Sequence, residues 1–423
     1  MNPTYSILAR SYTYFCATQM QKSKSHHTTH SSSKRGIRLT NLFKEFFNSQ
    51  QIGGILLILF TLFSITLANS SSGTEYIAFW KTKIGWVNPN FHLHLSIADW
   101  INDALMTVFF LLVGIEIKRE LVVGELSDKK KAMLPVFAAL GGMIVPAIVF
   151  FLININHPNL IKGAGIPTAT DIAFAIAIMG MLGDKVPASL KVFLTALAII
   201  DDLGAIFVIA IFYGSHFSAL YLTLSAITIT ILFILNKKQI SHLWIFVSLG
   251  ILLWFFMLHS GIHATLAGVI LAFLIPFEQG KPHSISQKLE HALQAPVTYL
   301  ILPVFALANT AIVFEQPILE TLSSTLGLGI ILGLFLGKPI GIVSFSYLAQ
   351  KLKIAQIANN IRFVQLLGAG ILGGIGFTMA IFVTNLAFTN EILVANGKIA
   401  ILFGSLAAAG TGYVLLNFSK KHT

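Results

Sequence analysis

A succession of long apolar stretches is the feature that most constrains this chain. Segments of about 20 hydrophobic residues, the length that crosses a bilayer as a helix, recur from residue 50 to residue 417. Twelve of them are predicted spans, near 50–69, 96–117, 133–153, 166–182, 188–213, 217–236, 241–258, 262–276, 292–314, 324–347, 363–388 and 397–417. Because 55% of the residues are hydrophobic and only 11% are charged, we expect an all-α polytopic membrane protein.

The basic residues fall unevenly between these spans. With a cytoplasmic N-terminus, 22 of the 28 Lys and Arg residues lie in cytoplasmic segments and four in external ones. Such an excess is typical of the cytoplasmic side of membrane proteins. We therefore expect both termini in the cytoplasm and interpret the net charge of +11 as a sign of orientation, not of nucleic-acid binding. The single cysteine, Cys16, excludes a disulfide framework.

Two regions differ in composition. Residues 1–45 are basic, rich in Ser, Thr and His, and contain no acidic residue before Glu45, which is typical of a disordered tail. A transit peptide, or metal binding by the HHTTH stretch, is a weaker alternative. Residues 46–418 are expected to form the membrane domain. Between its first two spans, SSSGTEYIAFWKTKIGWVNPNFHLH predicts either a small external hairpin or a plain loop.

Among the ionisable residues within the apolar spans are Asp171, Asp201, Asp202 and Lys338. One charged side chain at the centre of a bilayer costs at least about 2.5–3.5 kcal/mol, so four cost on the order of 10 kcal/mol unless they pair or reach water. One Asp can pair with Lys338, but two carboxylates then remain. A purely structural ion pair explains the four poorly, and we expect an ion site.

The adjacent residues Asp201 and Asp202 cannot face the same partner, because consecutive helical residues point about 100° apart. We expect one to face Lys338 and the other to face a cavity; the residues alone leave open which. Carboxylate oxygens suit hard cations such as Na⁺ or Li⁺. A carboxylate that titrates near physiological pH holds either a proton or a cation. The pattern therefore predicts exchange of the two.

Two spans contain residues that break helices. GAGIPTATDIAF places Gly, Pro and Thr ahead of Asp171, and GAGILGGIGFTM places several glycines in span eleven. GAGILG also matches a dinucleotide-binding pattern, but no strand precedes it. Interrupted spans in corresponding positions of two repeats are typical of transporter sites. We expect inverted-topology repeats, with spans three to five matched to spans ten to twelve.

Six motifs, in chain order, resemble those of the NhaA sodium/proton antiporters: VGIEIKREL, TATDIAF, LAIIDDLGAI, HSGIHATLAGVI, LGKPIG and GGIGFTM. The likeness covers roughly residues 37–416. It implies a bacterial inner-membrane protein in which two interrupted helices, spans 4 and 11, cross. The implied function is electrogenic export of Na⁺ or Li⁺ in exchange for protons, without a cofactor and with activity rising at alkaline pH. The hairpin resembles the family's dimer contact, which implies a homodimer.

The resemblance also implies roles for the embedded residues. Asp202 is the expected principal cation ligand, with Thr170 and Asp171 nearby. Asp201 is expected to pair with Lys338 and to release it during the transport cycle.

A cytoplasmic funnel associated with the pH response of the family maps to six residues: Glu116, Arg119, Glu120, Glu290, His291 and His263. Taken alone, they are typical of a solvated, salt-bridged helix end. Two departures predict a shifted pH profile, because Gln294 stands where the family often has a His, and His259 replaces a commoner Lys.

Two other functions remain open from the residues. An intramembrane aspartyl protease also needs two embedded Asp residues, but its G-x-G-D and Y-D motifs do not occur in the chain, and it has no role for Lys338. A sodium-coupled symporter fits the same charges, and it differs from an antiporter by requiring a solute.

Overall fold

The computed structural model describes residues 50–88, 91–214, 217–240, 242–277, 284–314 and 316–419, so the predicted tail lies outside the described residues. Within these ranges the chain is mainly helical. The α-helices are α1 (Gln50–Ala68), α2 (Gly73–Lys81), α3 (Ile97–Val122), α4 (Lys129–Ile153), α5 (Ile172–Met181), α6 (Ala188–Phe212), α7 (Ala219–Lys237), α8 (Leu243–Ser260), α9 (Leu266–Leu274), α10 (Ile285–Asn309), α11 (Ile318–Ser323), α12 (Thr325–Lys351), α13 (Phe363–Gly373), α14 (Phe377–Ala387) and α15 (Glu391–Phe418).

The helix lengths fit a polytopic membrane protein. Among the described residues, nine helical segments are long and apolar enough to cross a bilayer. Two bent pairs, α1 with α2 at 113° and α13 with α14 at 45°, bring the number to at most 11. The predicted span at 262–276 is shorter, because α9 has only 9 residues and reaches about 13 Å of the roughly 30 Å hydrocarbon layer. The prediction of an all-helical polytopic membrane protein is confirmed.

The segment between α2 and α3 folds as a hairpin. Strand β1 (Lys83–Asn88) pairs antiparallel with β2 (Phe91–Ser96), which settles the choice between hairpin and plain loop. Gly85 has a φ of +139°, and a Cβ there would collide with the Leu93 carbonyl, so only glycine fits. We call the end of the bundle that carries this hairpin the hairpin end. At the hairpin end, an ion pair of 2.8 Å between Lys81, the last residue of α2, and Glu391 links α2 to the start of α15.

Close packing of α4 against α12 places the embedded lysine. Gly141 and Gly341 face one another, and a Cβ on either would collide with the carbonyl of the other. Such approaches are the use of small residues between membrane helices. Ahead of Lys338, residues Gly333–Gly337 form a π-helical turn. Pro339 has no N–H to donate to the carbonyl four residues earlier. The helix here therefore forms hydrogen bonds between residues five positions apart, as in a π-helix.

Candidate ion site

The two interrupted spans meet at their breaks. The chain leaves the helical conformation just ahead of α5 and again between α13 and α14. The Thr170 hydroxyl donates to the Gly373 carbonyl over 2.7 Å, and the N–H of Asp171 donates to the Ile375 carbonyl, also over 2.7 Å. These donors satisfy carbonyl groups that the end of α13 leaves without helical partners. Thr170 is fully buried and holds the two breaks together.

Asp171 joins the starts of two helices. Its Oδ1 accepts the N–H of Phe174 over 3.0 Å and so caps α5. Its Oδ2 accepts the N–H of Thr378 over 3.2 Å and also the Thr378 hydroxyl, at the start of α14. Both helix starts carry a partial positive charge. The buried carboxylate therefore balances two helix dipoles at the crossing.

Lys338 forms a buried ion pair with one of the adjacent carboxylates. Its Nζ lies 2.6 Å from Asp201 Oδ2, and it also donates to the Thr168 carbonyl. That carbonyl ends the 3₁₀ segment Ile161–Thr168 ahead of α5. The lysine thus meets a full negative charge and the negative end of a helical turn at once.

The other adjacent carboxylate faces a cavity. Asp202 is 1% exposed, and its Oδ1 has no hydrogen-bond partner among the described residues. It lines a cavity of about 120 Å³ together with Asp171, Thr378 and Glu116. Because an ionised carboxylate is strongly unfavourable when buried without a partner, Asp202 needs either a proton or a cation there.

The cavity extends along α3 and α10 toward the end of the bundle opposite the hairpin. Glu116 and Gln294 line it on that side. One helical turn further, Arg119 lies 3.1 Å from Glu120 and 3.2 Å from Glu290. Its Nε contact with Glu290 lacks hydrogen-bond alignment, so the attraction there is mainly electrostatic. Charged side chains therefore surround the approach to the cavity.

Of the two predicted histidines, only one lies near this cluster. His291 follows Glu290 on α10 and is exposed. His263 lies just ahead of α9, and its Nε2 is 2.7 Å from the Tyr213 carbonyl.

The packing of α9 on α3 shows how far His263 is from the cluster. Gly268 of α9 lies against Thr107, and Ala272 lies against Gly114. The two helices therefore run in the same direction, and His263 lies toward the hairpin end while Glu116 lies beyond the other end of α9. The structure does not bring His263 together with the other predicted funnel residues.

Toward the hairpin end, a buried pair of phenylalanines and a partly buried group of asparagines follow the cavity. The rings of Phe110 and Phe382 lie 5.4 Å apart, and both are almost fully buried. Beyond them, Asn309 donates to Asn102 Oδ1 over 2.8 Å and accepts from Asn385 Nδ2 over 2.6 Å. Along α3 and α14, Phe110 and Phe382 lie between this amide network and the cavity residues Glu116 and Thr378, so among the described residues they separate the site from the hairpin end.

Sequence reasoning missed two cavity residues. Thr378 is the first polar side chain after the glycine-rich break of span eleven, and that position is the signal in the sequence that points to it. Gln294 was noted only as a departure from the family, although it lines the cavity. Among the described residues, no three His, Cys, Asp or Glu side chains lie close enough to hold a metal ion. The cavity is lined by the carboxylates of Glu116, Asp171 and Asp202 and the hydroxyls of Thr298 and Thr378, and such oxygen ligands suit a hard cation.

Comparison with known proteins decides the family. The Na⁺/H⁺ antiporter 1 family profile matches residues 44–416. The chain belongs to this family. It is also 50% identical to the Na⁺/H⁺ antiporter NhaA of Cytophaga hutchinsonii, over 91% of this chain and 97% of that protein. The NhaA proteins of Flavobacterium psychrophilum and Vibrio cholerae are 49% and 47% identical, over 92% and 90% of this chain and 98% of each relative.

The resemblance to NhaA antiporters is therefore confirmed. Membership of this family identifies the chain as a Na⁺/H⁺ antiporter and not an enzyme. The predicted exchange of Na⁺ for protons is therefore confirmed, and the alternatives of an aspartyl protease and a sodium-coupled symporter are wrong. In this NhaA family member, the buried carboxylates beside the breaks of the two interrupted spans form the candidate ion site.

Proposed function

We propose that Asp202 is the group that holds either a cation or a proton during the exchange, that Li⁺ can replace Na⁺, and that the exchange takes place across a bacterial inner membrane. The observation that carries the proposal is the position of Asp202 on a cavity shared with Asp171 and Thr378, with one buried oxygen that has no hydrogen-bond partner among the described residues. A cation that enters this cavity meets oxygen ligands from three helices. A proton on Asp202 removes the charge that attracts the cation, so the two ions exclude one another.

Asp171 and Thr170 have supporting roles in this proposal. Two helix starts hold the carboxylate of Asp171 in place. The site therefore has a second negative charge beside Asp202 that does not have to move when a cation enters. Thr170 fixes the crossing through Gly373. Asp171 therefore acts as a cation ligand next to Asp202, and Thr170 keeps it in position.

Asp201 and Lys338 form the second part of the cycle. When Na⁺ occupies the site beside Asp202, the local positive charge rises, and Lys338 loses part of its stabilisation. Lys338 then leaves Asp201 and gives up its proton, and it takes up a proton and pairs with Asp201 again after Na⁺ has left. Transport of more protons than cations moves net charge, and each elementary charge gains about 2.3 kcal/mol per 100 mV of membrane potential.

The orientation follows from the charges. We place the hairpin end outside and both termini in the cytoplasm, because the Lys and Arg residues concentrate on the other side. The cavity beside Asp202 then faces the cytoplasm, and the phenylalanine and asparagine layers close the external side. Alternating access requires those layers to open while the approach at Glu116 closes.

The pH response is assigned to the charged approach of the cavity. Glu116, Arg119, Glu120, Glu290 and His291 lie there, where a change in their charge alters the potential that an entering cation meets. His263 lies away from these residues, toward the hairpin end.

The hairpin supports a homodimer. Trp86 is 74% exposed and Ile84 is 54% exposed, and both project from an element outside the membrane helices. Large apolar side chains in such a position are typical of protein interfaces. We assign the hairpin to the contact between two copies of this chain.

The experiment that tests the exchange uses proteoliposomes with an acidic interior. Addition of Na⁺ outside, without any organic solute, is expected to drive proton movement. A requirement for a solute would contradict the proposed exchange at Asp202. A control with K⁺ in place of Na⁺ separates cation exchange from a proton leak.

A further inference from the structure

Four backbone carbonyls, those of residues 272–275, end the short helix α9. The last carbonyls of a helix find no N–H partner within it, and here Lys118 of α3 supplies most of the missing donors. Its Nζ donates to the Phe273 carbonyl over 2.8 Å, to the Ala272 carbonyl over 3.4 Å and also to the Ile275 carbonyl. An ammonium suits this position, because a helix C-terminus carries a partial negative charge and no residue of α9 is charged. The lysine therefore fastens α3 to the end of α9.

The remaining carbonyl of this group, that of Leu274, has a donor from a third helix. Asn236 Nδ2, near the end of α7, donates to it over 2.7 Å. An unpaired backbone carbonyl within a membrane protein is unfavourable, so the loss of either side chain weakens the end of α9. Of the two, only Lys118 belongs to a helix that lines the ion cavity, the cavity beside Asp202. Asn236 is therefore a matched comparison for the purely structural part of the role of Lys118.

The two sides of α3 have different partners. On one side, Gly114 lies against Ala272 of α9, and Lys118 follows one helical turn later on the same side. The other side lines the ion cavity with Phe109, Leu112, Val113 and Glu116. Lys118 and Glu116 are two positions apart, so they point about 200° apart around the helix. A rotation of α3 that moves Lys118 away from α9 therefore also moves Glu116 from its place on the cavity wall.

We propose that Lys118 is a positioning residue, which fixes the rotation of α3 about its axis so that Glu116 faces the approach to the ion cavity. Gly114 brings α3 close to α9 but has no side chain to resist rotation, whereas the hydrogen bonds of Lys118 are directional. The charged groups whose distances this rotation changes are Glu116, Arg119 and Glu120 on α3, Glu290 and His291 on α10, and Asp171 and Asp202 across the cavity. The effect on the pH response rests on the function proposed above for this approach, whereas the anchor on α9 does not.

Na⁺/H⁺ exchange by the purified full chain in proteoliposomes tests the positioning. Lys118→Met removes the hydrogen bonds to α9, and we expect the pH of half-maximal activity to move by several tenths of a unit or more, because the potential at the cavity changes with the position of Glu116. Asn236→Leu also leaves an α9 carbonyl without a donor, and it is expected to keep the parental pH profile. Lys118→Arg retains the charge and the donors and is expected to keep that profile as well.

Two further variants separate position from charge and from folding. Lys237 is exposed at the end of α7, so Lys237→Met removes one positive charge from the same end of the bundle and leaves the donors to α9 in place. It is expected to keep the parental pH profile. If Lys118→Met does not fold, Lys118→Gln takes its place, because its side chain is one atom shorter and uncharged but still polar.

Hydrogen–deuterium exchange of the same variants tests the anchor without transport. Lys118→Met is expected to speed backbone exchange both at the end of α9 and along α3. Asn236→Leu is expected to speed it at the end of α9 but not along α3. Glu116→Gln tests the proposed function by itself, since it is expected to shift the pH profile and to leave exchange in α9 unchanged.

Three results would overturn the proposal. The first is equal pH profiles for Lys118→Met and Asn236→Leu while Glu116→Gln shifts its own. The second is an equal shift from Lys237→Met, which would assign the effect to charge alone. The third is exchange along α3 that Lys118→Met leaves unchanged. A parental pH profile in Glu116→Gln would instead contradict the pH role proposed for Glu116, and the exchange measurement would then decide whether Lys118 anchors α3.

Discussion

Lys338 Nζ lies 2.6 Å from Asp201 Oδ2, and neither side chain is exposed by more than 1%. Removal of one partner from a buried ion pair leaves the other charge without compensation and costs about 3–5 kcal/mol, whereas removal of both is much less costly. We therefore expect Asp201→Asn and Lys338→Met to lower the thermal stability of the protein strongly as single variants. The double variant is expected to be more stable than the sum of the single effects predicts. Additive losses in thermal unfolding would contradict a direct coupling.

The apparent affinity for Na⁺ is expected to rise with pH. If a proton and Na⁺ compete for Asp202, lowering the pH fills the site with protons and raises the Na⁺ concentration needed for half-maximal transport. The shift approaches about tenfold per pH unit for each proton displaced. The KM for Na⁺, measured in proteoliposomes at successive pH values, checks this. A KM that stays constant while only the maximal rate changes would place the pH effect away from the cation site.

Gln294 is expected to set part of the pH profile. It lines the ion cavity beside Glu116 but does not titrate. Gln294→His introduces a titratable group at that point, and we expect the pH of half-maximal activity to move by several tenths of a unit or more. Gln350→His, at an exposed position near the end of α12, is the matched control and is expected to have no effect. Equal profiles for both variants would show that Gln294 does not influence the response.

The exposed hairpin side chains are expected to hold the dimer. Trp86→Ala combined with Ile84→Ala is expected to raise the monomer fraction by at least tenfold at a fixed protein concentration, because large aromatic residues dominate interface energies. Native mass spectrometry gives the ratio of the two species. Trp244→Ala removes an equally exposed tryptophan, at 68%, and is expected to leave the dimer intact. A dimer that survives the hairpin variant places the contact elsewhere.

The location of the candidate site was predictable from the sequence because charge in an apolar span is so unfavourable. Asp171, Asp201, Asp202 and Lys338 stand out for that reason alone. The breaks beside them were predictable from glycine and proline. Which of the adjacent carboxylates meets Lys338 depends on the rotation of α6 about its axis, and helical periodicity alone does not fix that rotation.

Other features depend on tertiary packing and were not predictable. The group of funnel residues was drawn from the resemblance, yet His263 lies at the other end of the bundle because α9 runs in the same direction as α3. The sequence alone does not predict the contact of Thr378 with Asp171, because that contact depends on how the break between α13 and α14 places Thr378. The sequence predicts a full membrane crossing at 262–276 because the residues on either side of α9 are also apolar, although they are not helical.

Proton release on Na⁺ binding tests the central claim most directly. Titration of Na⁺ into the purified protein at alkaline pH, in a weakly buffered solution with a pH indicator, measures the protons released. We predict release that saturates with Na⁺, that choline chloride does not reproduce and that Asp202→Asn abolishes. Na⁺ binding without proton release, or release that Asp202→Asn leaves unchanged, would contradict the claim that one carboxylate holds either ion.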